Sequence, residues 1–371
     1  MLGLARLQEQ PHGAQCGPVT AMASAALTRW IPNFLQSMFA IPGSRPALSR
    51  RRLFTAAGLL GLGLPLWAMP QGQGASSAAA ASAATVAGRS DVPASRTLAR
   101  IRDTGVVVMG YRPASLPFSY LDGRLKPVGY SVELCERIID AIREQLQLPD
   151  LEVKQIAVNS ATRMPLVANG TLDMECGITT HNAERARSQS FSTTTYVAES
   201  RLLSRRSQMM RSIEDLRGLT VASTIGTTSL QYLHQLNVQK GLGFRILVGQ
   251  DDQESFRLLQ TGRAVAYAMD DVLLRSLIAQ VRDPQEYYIA EQPLSVEPYA
   301  IGLPPNDPQF KRLVDGVIAS LYRSGEIHGI YQRWFQNPIP PRGLNLQLPM
   351  GDAFKRVIAK PTDSPDPAAY R

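Results

Sequence analysis

The feature that most restricts how this chain folds is an alternation of strand-like and helix-like segments from Ser95 to Pro349. "GVVVMGY" (Gly105 to Tyr111) is a continuous apolar run of buried-strand length, and "LDGR" is a turn signal. From Ser131 to Leu148, apolar residues recur at Leu134, Ile138, Ile142 and Leu146, the spacing of one helix face. "LEVKQIAV" reads as a strand, "SATRMPLVANG" as a helix closed by Gly170, and "LDMECG" as a strand. A second series follows: "LTVAS", a helix from Thr227, "FRILV", the helix "DQESFRLLQTG", "AVAYAM", and a helix from Asp271. The helices "DPQFKRLVDGVIASLYRSG" and "GIYQRWFQ" close the pattern. Such alternation predicts an α/β fold, here with two lobes.

The segments before Ser95 read as an address. "SRRRLFTAAGLLGLGLPLWA" (Ser49 to Ala68) has a basic start and an apolar run too short to span a bilayer comfortably. Ser49-Arg50-Arg51-Arg52-Leu53-Phe54 resembles a twin-arginine export signal, and an arginine-rich Sec signal is the alternative. The expected organisation is an upstream leader over 1–37, the export signal over 38–68 and a small, low-complexity linker over 69–94. The chain carries a formal charge of +8, but residues 1–68 hold six arginines against one acid, leaving +3 for the rest. No basic block interleaved with aromatics remains, which argues against a nucleic-acid partner. The end of the chain, "KPTDSPDPAAYR", is expected to bury nothing. Cys135 and Cys176 read as small buried residues rather than as a bridge.

Polar residues collect where strands hand over to helices, the junctions at which open α/β sheets hold ligands. Arg112 follows the first strand; Ser160 and Arg163 follow "KQIAVN". Thr179, Thr180 and Arg185 follow "MECGI", and Gly226-Thr227-Thr228-Ser229 opens the helix after "VASTI". Asp270 ends "AVAYAM". Asn182 is a good N-cap, which puts Arg185 in a first helical turn. Arg163 occupies the capping-box position where Glu is usual, with Ser160 as the expected cap. Cations at helix starts oppose the helix dipole. Asp270 supplies only part of the missing negative charge, so an external anion is the expected partner.

These residues carry a resemblance. Leu98 to Leu346 resembles the periplasmic solute-binding proteins for polar amino acids, specifically the glutamate/aspartate branch serving ABC importers. The likeness runs through "SLPFSYLDG", "RMPLVANGTLDMECG", "TTHNAERARSQSFS", "DLRGLTVASTIGTTS", "SFRLLQTGRAVAYAMDD", "DPQFKRLVDGVIASL" and "RWFQNPIPPRGLNL". It implies a type II two-lobed fold with two crossings: lobe one over 95–198 and 298–349, lobe two over 199–297, and a tail over 350–371. It implies an exported, periplasmic monomer that closes over one L-amino acid and delivers it to a membrane permease, with no cofactor and no metal. Arg185 and Thr180 would hold the α-carboxylate, helped by Thr228 at the helix start that it shares with Thr227. Asp270 would take the α-ammonium, and Arg112, Ser160 and Arg163 the side-chain carboxylate.

Two positions depart from the family pattern. Ile178 stands where a serine is usual, and Asp252 where a histidine near the side-chain carboxylate is usual. An Asp there repels an acidic ligand unless an arginine neutralises it, or accepts from an amide, so glutamine or asparagine stays open. Phe118 and Tyr120 either flank the ligand or pack in the core. An exported dehydratase is the rival class, with Asp252 or Glu175 as its acid. No histidine sits with Ser or Cys in a nucleophile frame, which favours binding over catalysis.

Overall fold

The computed structural model describes residues 94–371; the leader, the export signal and nearly all of the linker lie outside the described residues. Ser95 accepts from the Leu98 N–H at 3.0 Å and so starts α1 (Arg96–Thr104), which Gly105 ends in the left-handed conformation. β1 (Val106–Tyr111) leads to a small antiparallel ribbon, β2 (Ala114–Ser115), β3 (Ser119–Leu121) and β4 (Pro127–Val128). The long helix α2 (Tyr130–Leu146), β5 (Glu152–Ala157), the short α3 (Arg163–Ala168), β6 (Met174–Cys176) and β7 (Ser190–Phe191) follow.

The chain then runs through β8 (Tyr196–Arg205), β9 (Thr220–Thr224), α4 (Thr228–Gln239), β10 (Arg245–Gly249), α5 (Asp252–Gln260), β11 (Ala266–Asp270) and α6 (Asp271–Ile278). It returns through β12 (Tyr287–Ile289), β13 (Ser295–Tyr299), β14 (Gly302–Leu303), α7 (Pro308–Ser324), α8 (Glu326–Phe335) and α9 (Asp352–Ala359). One sheet has the order β5-β1-β6-β14-β7 and the other β10-β9-β11-β8-β12, with β13 pairing to β8. The parallel β1–β5 and β9–β10 pairs place their strand ends, and the helix starts that follow, at one edge of each sheet. β8 and β13 run antiparallel from Tyr196↔Tyr299 to Ser200↔Ser295, and Tyr299 also makes an isolated bridge to Thr180. This ribbon joins the two lobes.

An aromatic cluster anchors it. Phe118 packs edge-on against Tyr130, Tyr196, Tyr299 and Phe335, at centroid separations of 5.9, 4.9, 5.3 and 5.4 Å. Tyr120 meets Trp334 in the same core. Both rings pack in the core, and the Tyr120 hydroxyl has no hydrogen-bond partner among the described residues. Such ring pairs add roughly 0.5–1.5 kcal/mol each beyond the area they bury.

Three expectations are corrected. Cys135 and Cys176 form a disulfide with Cα atoms 6.2 Å apart, tying α2 to the end of β6. Both positions face the same core, and nothing in their local sequence shows that they meet there. The chain end is not idle. Phe354 and Val357 of α9 join the main core, and Tyr370 is 2% exposed with its hydroxyl 2.7 Å from Thr194 Oγ1. Thr194 also donates its backbone N–H to the Thr362 carbonyl at 2.9 Å. A segment without periodicity docks here by backbone pairing and one aromatic, contacts that periodicity does not encode. The expected helix after Asn182 is a single 3₁₀ turn, Arg185–Arg187. Glu184, not Asn182, is its N-cap, although the Asn182 side chain accepts from the Arg185 N–H at 2.9 Å.

Candidate functional site

The candidate site residues Arg112, Ser160, Arg163, Thr180, Arg185, Thr227, Thr228, Asp252 and Asp270 are all buried. Thr227 caps α4, accepting from the Leu230 N–H at 3.2 Å and donating to the Thr224 carbonyl at 2.7 Å. Its hydroxyl hydrogen is thereby spent, and its role here is to shape the helix start. Ser160 is released from capping because Asn159 takes that work, accepting from the N–H groups of Ala161 and Thr162 at 3.0 and 2.9 Å. This corrects the expected frame. Ser160 is left free to accept from Arg112 Nη1 at 2.7 Å.

The lobes meet around these side chains. Arg185 donates to the Thr180 carbonyl at 3.0 Å and across the cleft to the Gly226 carbonyl at 3.2 Å. Gly226 has φ +73°, and a Cβ there would lie 2.7 Å from the Ser160 backbone, so only glycine permits this approach. Arg112 Nη2 stands 4.0 Å from Asp252 Oδ2. Asp252 belongs to lobe two, where its Oδ1 accepts from Thr224 at 2.9 Å and Tyr267 at 3.2 Å. The carboxylate that departs from the family pattern is thus held by two hydroxyls and turned toward an arginine.

Two carboxylates that the pattern of junctions did not supply complete the electrostatics. Glu175 is buried in β6, accepts from Thr179 Oγ1 at 2.6 Å, and leaves its Oε1 without a hydrogen-bond partner among the described residues. A Cβ at Gly177 would fall 2.1 Å from that oxygen and 2.9 Å from Arg112 Cγ, so glycine lets the two side chains pack over the strand end. Glu297 is buried in β13 and accepts from Ser295 and from Thr228 Oγ1, the latter at 2.7 Å. Three buried arginines therefore face four buried acids: Glu175, Asp252, Asp270 and Glu297. The need for an external anion, inferred from the arginines alone, is weaker than the sequence implied. Glu175 carried one signal, a charge inside an apolar strand; Glu297, in "SVEPYA", carried none.

What the protein does not satisfy is hydrogen bonding. Arg163 Nε and Nη1 and Arg112 Nε have no partner among the described residues. Buried donors of this kind are rare and call for a polar group. Burial lowers the Arg163 pKa to about 9, against the opposing pull of Glu175, with Arg112 and Arg185 adding to the fall. Arg185 is lowered too, by burial first, with Glu297, Asp270 and Glu175 resisting. Burial and then the neighbouring Glu297 raise Asp270 well above the carboxylate range, while Tyr299 donates to it. Ile178 is packed in the core, and His181 stacks on Phe191 with ring centroids 4.4 Å apart. Among the described residues no cluster could hold a metal ion.

Two α/β lobes joined by a two-strand ribbon, with buried cations and acids where they meet, define a type II solute-binding protein. Residues 107–337 match the bacterial extracellular solute-binding proteins, family 3, and the chain belongs to that family. It is 43% identical over 268 residues to the L-glutamate/L-aspartate-binding protein of Pseudomonas aeruginosa, covering 72% of this chain and 89% of that one. It is 42% identical over 270 residues to the glutamate/aspartate import solute-binding protein of Escherichia coli K12, covering 73% and 89%. Among solved structures it resembles an ancestral arginine-binding protein bound to arginine, with a TM-score of 0.56 and 23% identity. That match covers 62% of this chain and 98% of the other, and it speaks to the fold alone. The chain is an extracytoplasmic binding protein, not an enzyme.

Proposed function

We propose that this protein captures L-glutamate or L-aspartate by closure of its lobes and delivers it, as a monomer, to the membrane permease of an ABC importer. The observation that carries the ligand class is the set of unsatisfied donors on Arg163 and Arg112. A side-chain carboxylate accepts from both guanidinium groups, and charge-assisted bonds of this kind are strong where water is excluded. Arg185 and Thr180, with the first-turn N–H groups of α4, hold the α-carboxylate; those N–H groups have no partner within the helix. Asp270 holds the α-ammonium. Ser160 steadies Arg112. The relatives named for glutamate and aspartate support the same reading. Export by the twin-arginine route is proposed from the arginines at 50–52.

A second reading rests on Asp252. Its Oδ2 faces Arg112 and is an available acceptor for an amide N–H₂, which suits glutamine or asparagine. A thermal-shift screen of the twenty amino acids, followed by calorimetry with glutamate, aspartate, glutamine and asparagine, separates the two. Preference for an amide overturns the acidic ligand and leaves the amino-acid site standing. Recovery of altered ligand overturns simple binding.

A further inference from the structure

Glu297 lies in the middle of β13, one of the two strands that join the lobes, and is 0% exposed. Its oxygens accept from two hydroxyls, Ser295 Oγ and Thr228 Oγ1, the latter at 2.7 Å. Among the described residues it forms no ion pair, and it favours the charged form of Arg185. A buried carboxylate held only by hydroxyls is costly to retain, which calls for a reason.

The reason lies in the single hydrogen of the Thr228 hydroxyl. Thr228 donates that hydrogen to Glu297 Oε2, so the hydroxyl has only lone pairs left for any other partner. Thr228 is the first residue of α4, whose N–H groups already provide donors at that corner. Two residues further along the same face of β13, Tyr299 donates to Asp270. Asp270 Oδ1 lies 3.5 Å from Ser229 Oγ, the residue next to Thr228. One strand therefore sets the hydrogen-bond polarity of two neighbouring groups, Thr228 and Asp270, with a second carboxylate behind them.

We propose that Glu297 is a positioning residue for specificity. It fixes Thr228 as an acceptor and, with Asp270, makes this end of the cleft choose a ligand bearing an α-ammonium over the same diacid without one. This rests on the amino-acid reading above, and it reassigns the Thr228 hydroxyl from the α-carboxylate to the ammonium, leaving the carboxylate to Arg185 and backbone N–H groups.

The test compares glutamate with pentanedioate, which differs only in lacking the amino group, by calorimetry and competition on wild type, Glu297→Gln and Thr228→Val. Glutamine at 297 keeps an acceptor and the volume but removes the charge and lets the Thr228 hydrogen turn away. The expected result is a glutamate-to-pentanedioate affinity ratio that falls at least tenfold in each variant, with pentanedioate unchanged or tighter. In the Thr228→Val background, adding Glu297→Gln should move the ratio less than either change alone. Equal loss for both ligands, or an unchanged ratio, overturns the proposal, because a merely structural contact affects both alike. Should Glu297→Gln fail to fold, Thr228→Val carries the test by the same criterion. If wild type binds no amino acid, the underlying reading fails first, before any variant is compared.

Discussion

Arg112 of one lobe and Asp252 of the other face each other across the cleft, Nη2 to Oδ2 at 4.0 Å, with Asp252 tethered behind by Thr224 and Tyr267. The pair spends part of one cation that an acidic ligand needs. Replacing Asp252 with His should tighten glutamate binding and raise its preference over glutamine by roughly ten- to a hundredfold, about 1–3 kcal/mol. Calorimetry with both ligands on wild type and Asp252→His reads this directly; a loss of glutamate affinity would show that Asp252 positions Arg112 productively.

Arg185 links its own Thr180 carbonyl to Gly226 on the opposite lobe. Arg185→Ala should weaken every amino acid tested by about 3 kcal/mol or more, since it removes a buried charge partner common to all. Unchanged affinity would mean that Arg185 serves closure alone.

Burial first and Glu297 second raise the Asp270 pKa well above the usual range, with Asp271 and Asp252 adding to it and Tyr299 opposing. Asp270 therefore takes up a proton at higher pH than a free carboxylate does, and a bound ammonium favours the ionised form. Binding should release protons, and affinity should fall as pH falls, by up to about tenfold per unit for one proton. Calorimetry in two buffers of different ionisation heat counts the protons; heats independent of buffer would refute the linkage.

His181 is buried against Phe191, and its pKa is lowered from 6.5 to about 4, chiefly by burial, against the pull of Asp363. The unfolded chain binds this proton first as pH drops. Its stabilising contribution is whole above pH 6.5 and is lost as pH falls to about 4, a change of about 2–3 kcal/mol. His181→Phe should flatten the denaturation midpoint across that window. A parallel loss in both proteins would assign the acid sensitivity to carboxylates instead.

The Cys135–Cys176 disulfide closes a loop with a sequence separation of 41, for which chain entropy gives about 4 kcal/mol. The Cys135→Ala, Cys176→Ala double variant should lower the urea midpoint accordingly. Reductant should shift the wild-type midpoint toward that of the variant and leave the variant unmoved. Coincident curves for the two proteins would mean that the bridge does not stabilise.

Local sequence was enough for whatever depends on neighbours in the chain. The run Val106–Tyr111, the spacing along α2, the Thr227 cap and the glycine at 226 each follow from side-chain shape within a few residues, and the structure contains all of them. The arginines at 112, 163 and 185 were legible because each sits at a strand-to-helix junction, a place the chain order reveals. Tertiary structure alone decided the rest. Glu175 and Glu297 count in the site only because distant segments bury them beside the arginines. Asn159 rather than Ser160 caps the turn before α3, and the serine instead accepts from Arg112, 48 residues away. Cys135 meets Cys176, and Tyr370 meets Thr194 across 176 residues, by contacts that neither periodicity nor capping encodes. Propensity and caps act over one helical turn, whereas burial and pairing depend on which surfaces the folded chain brings together.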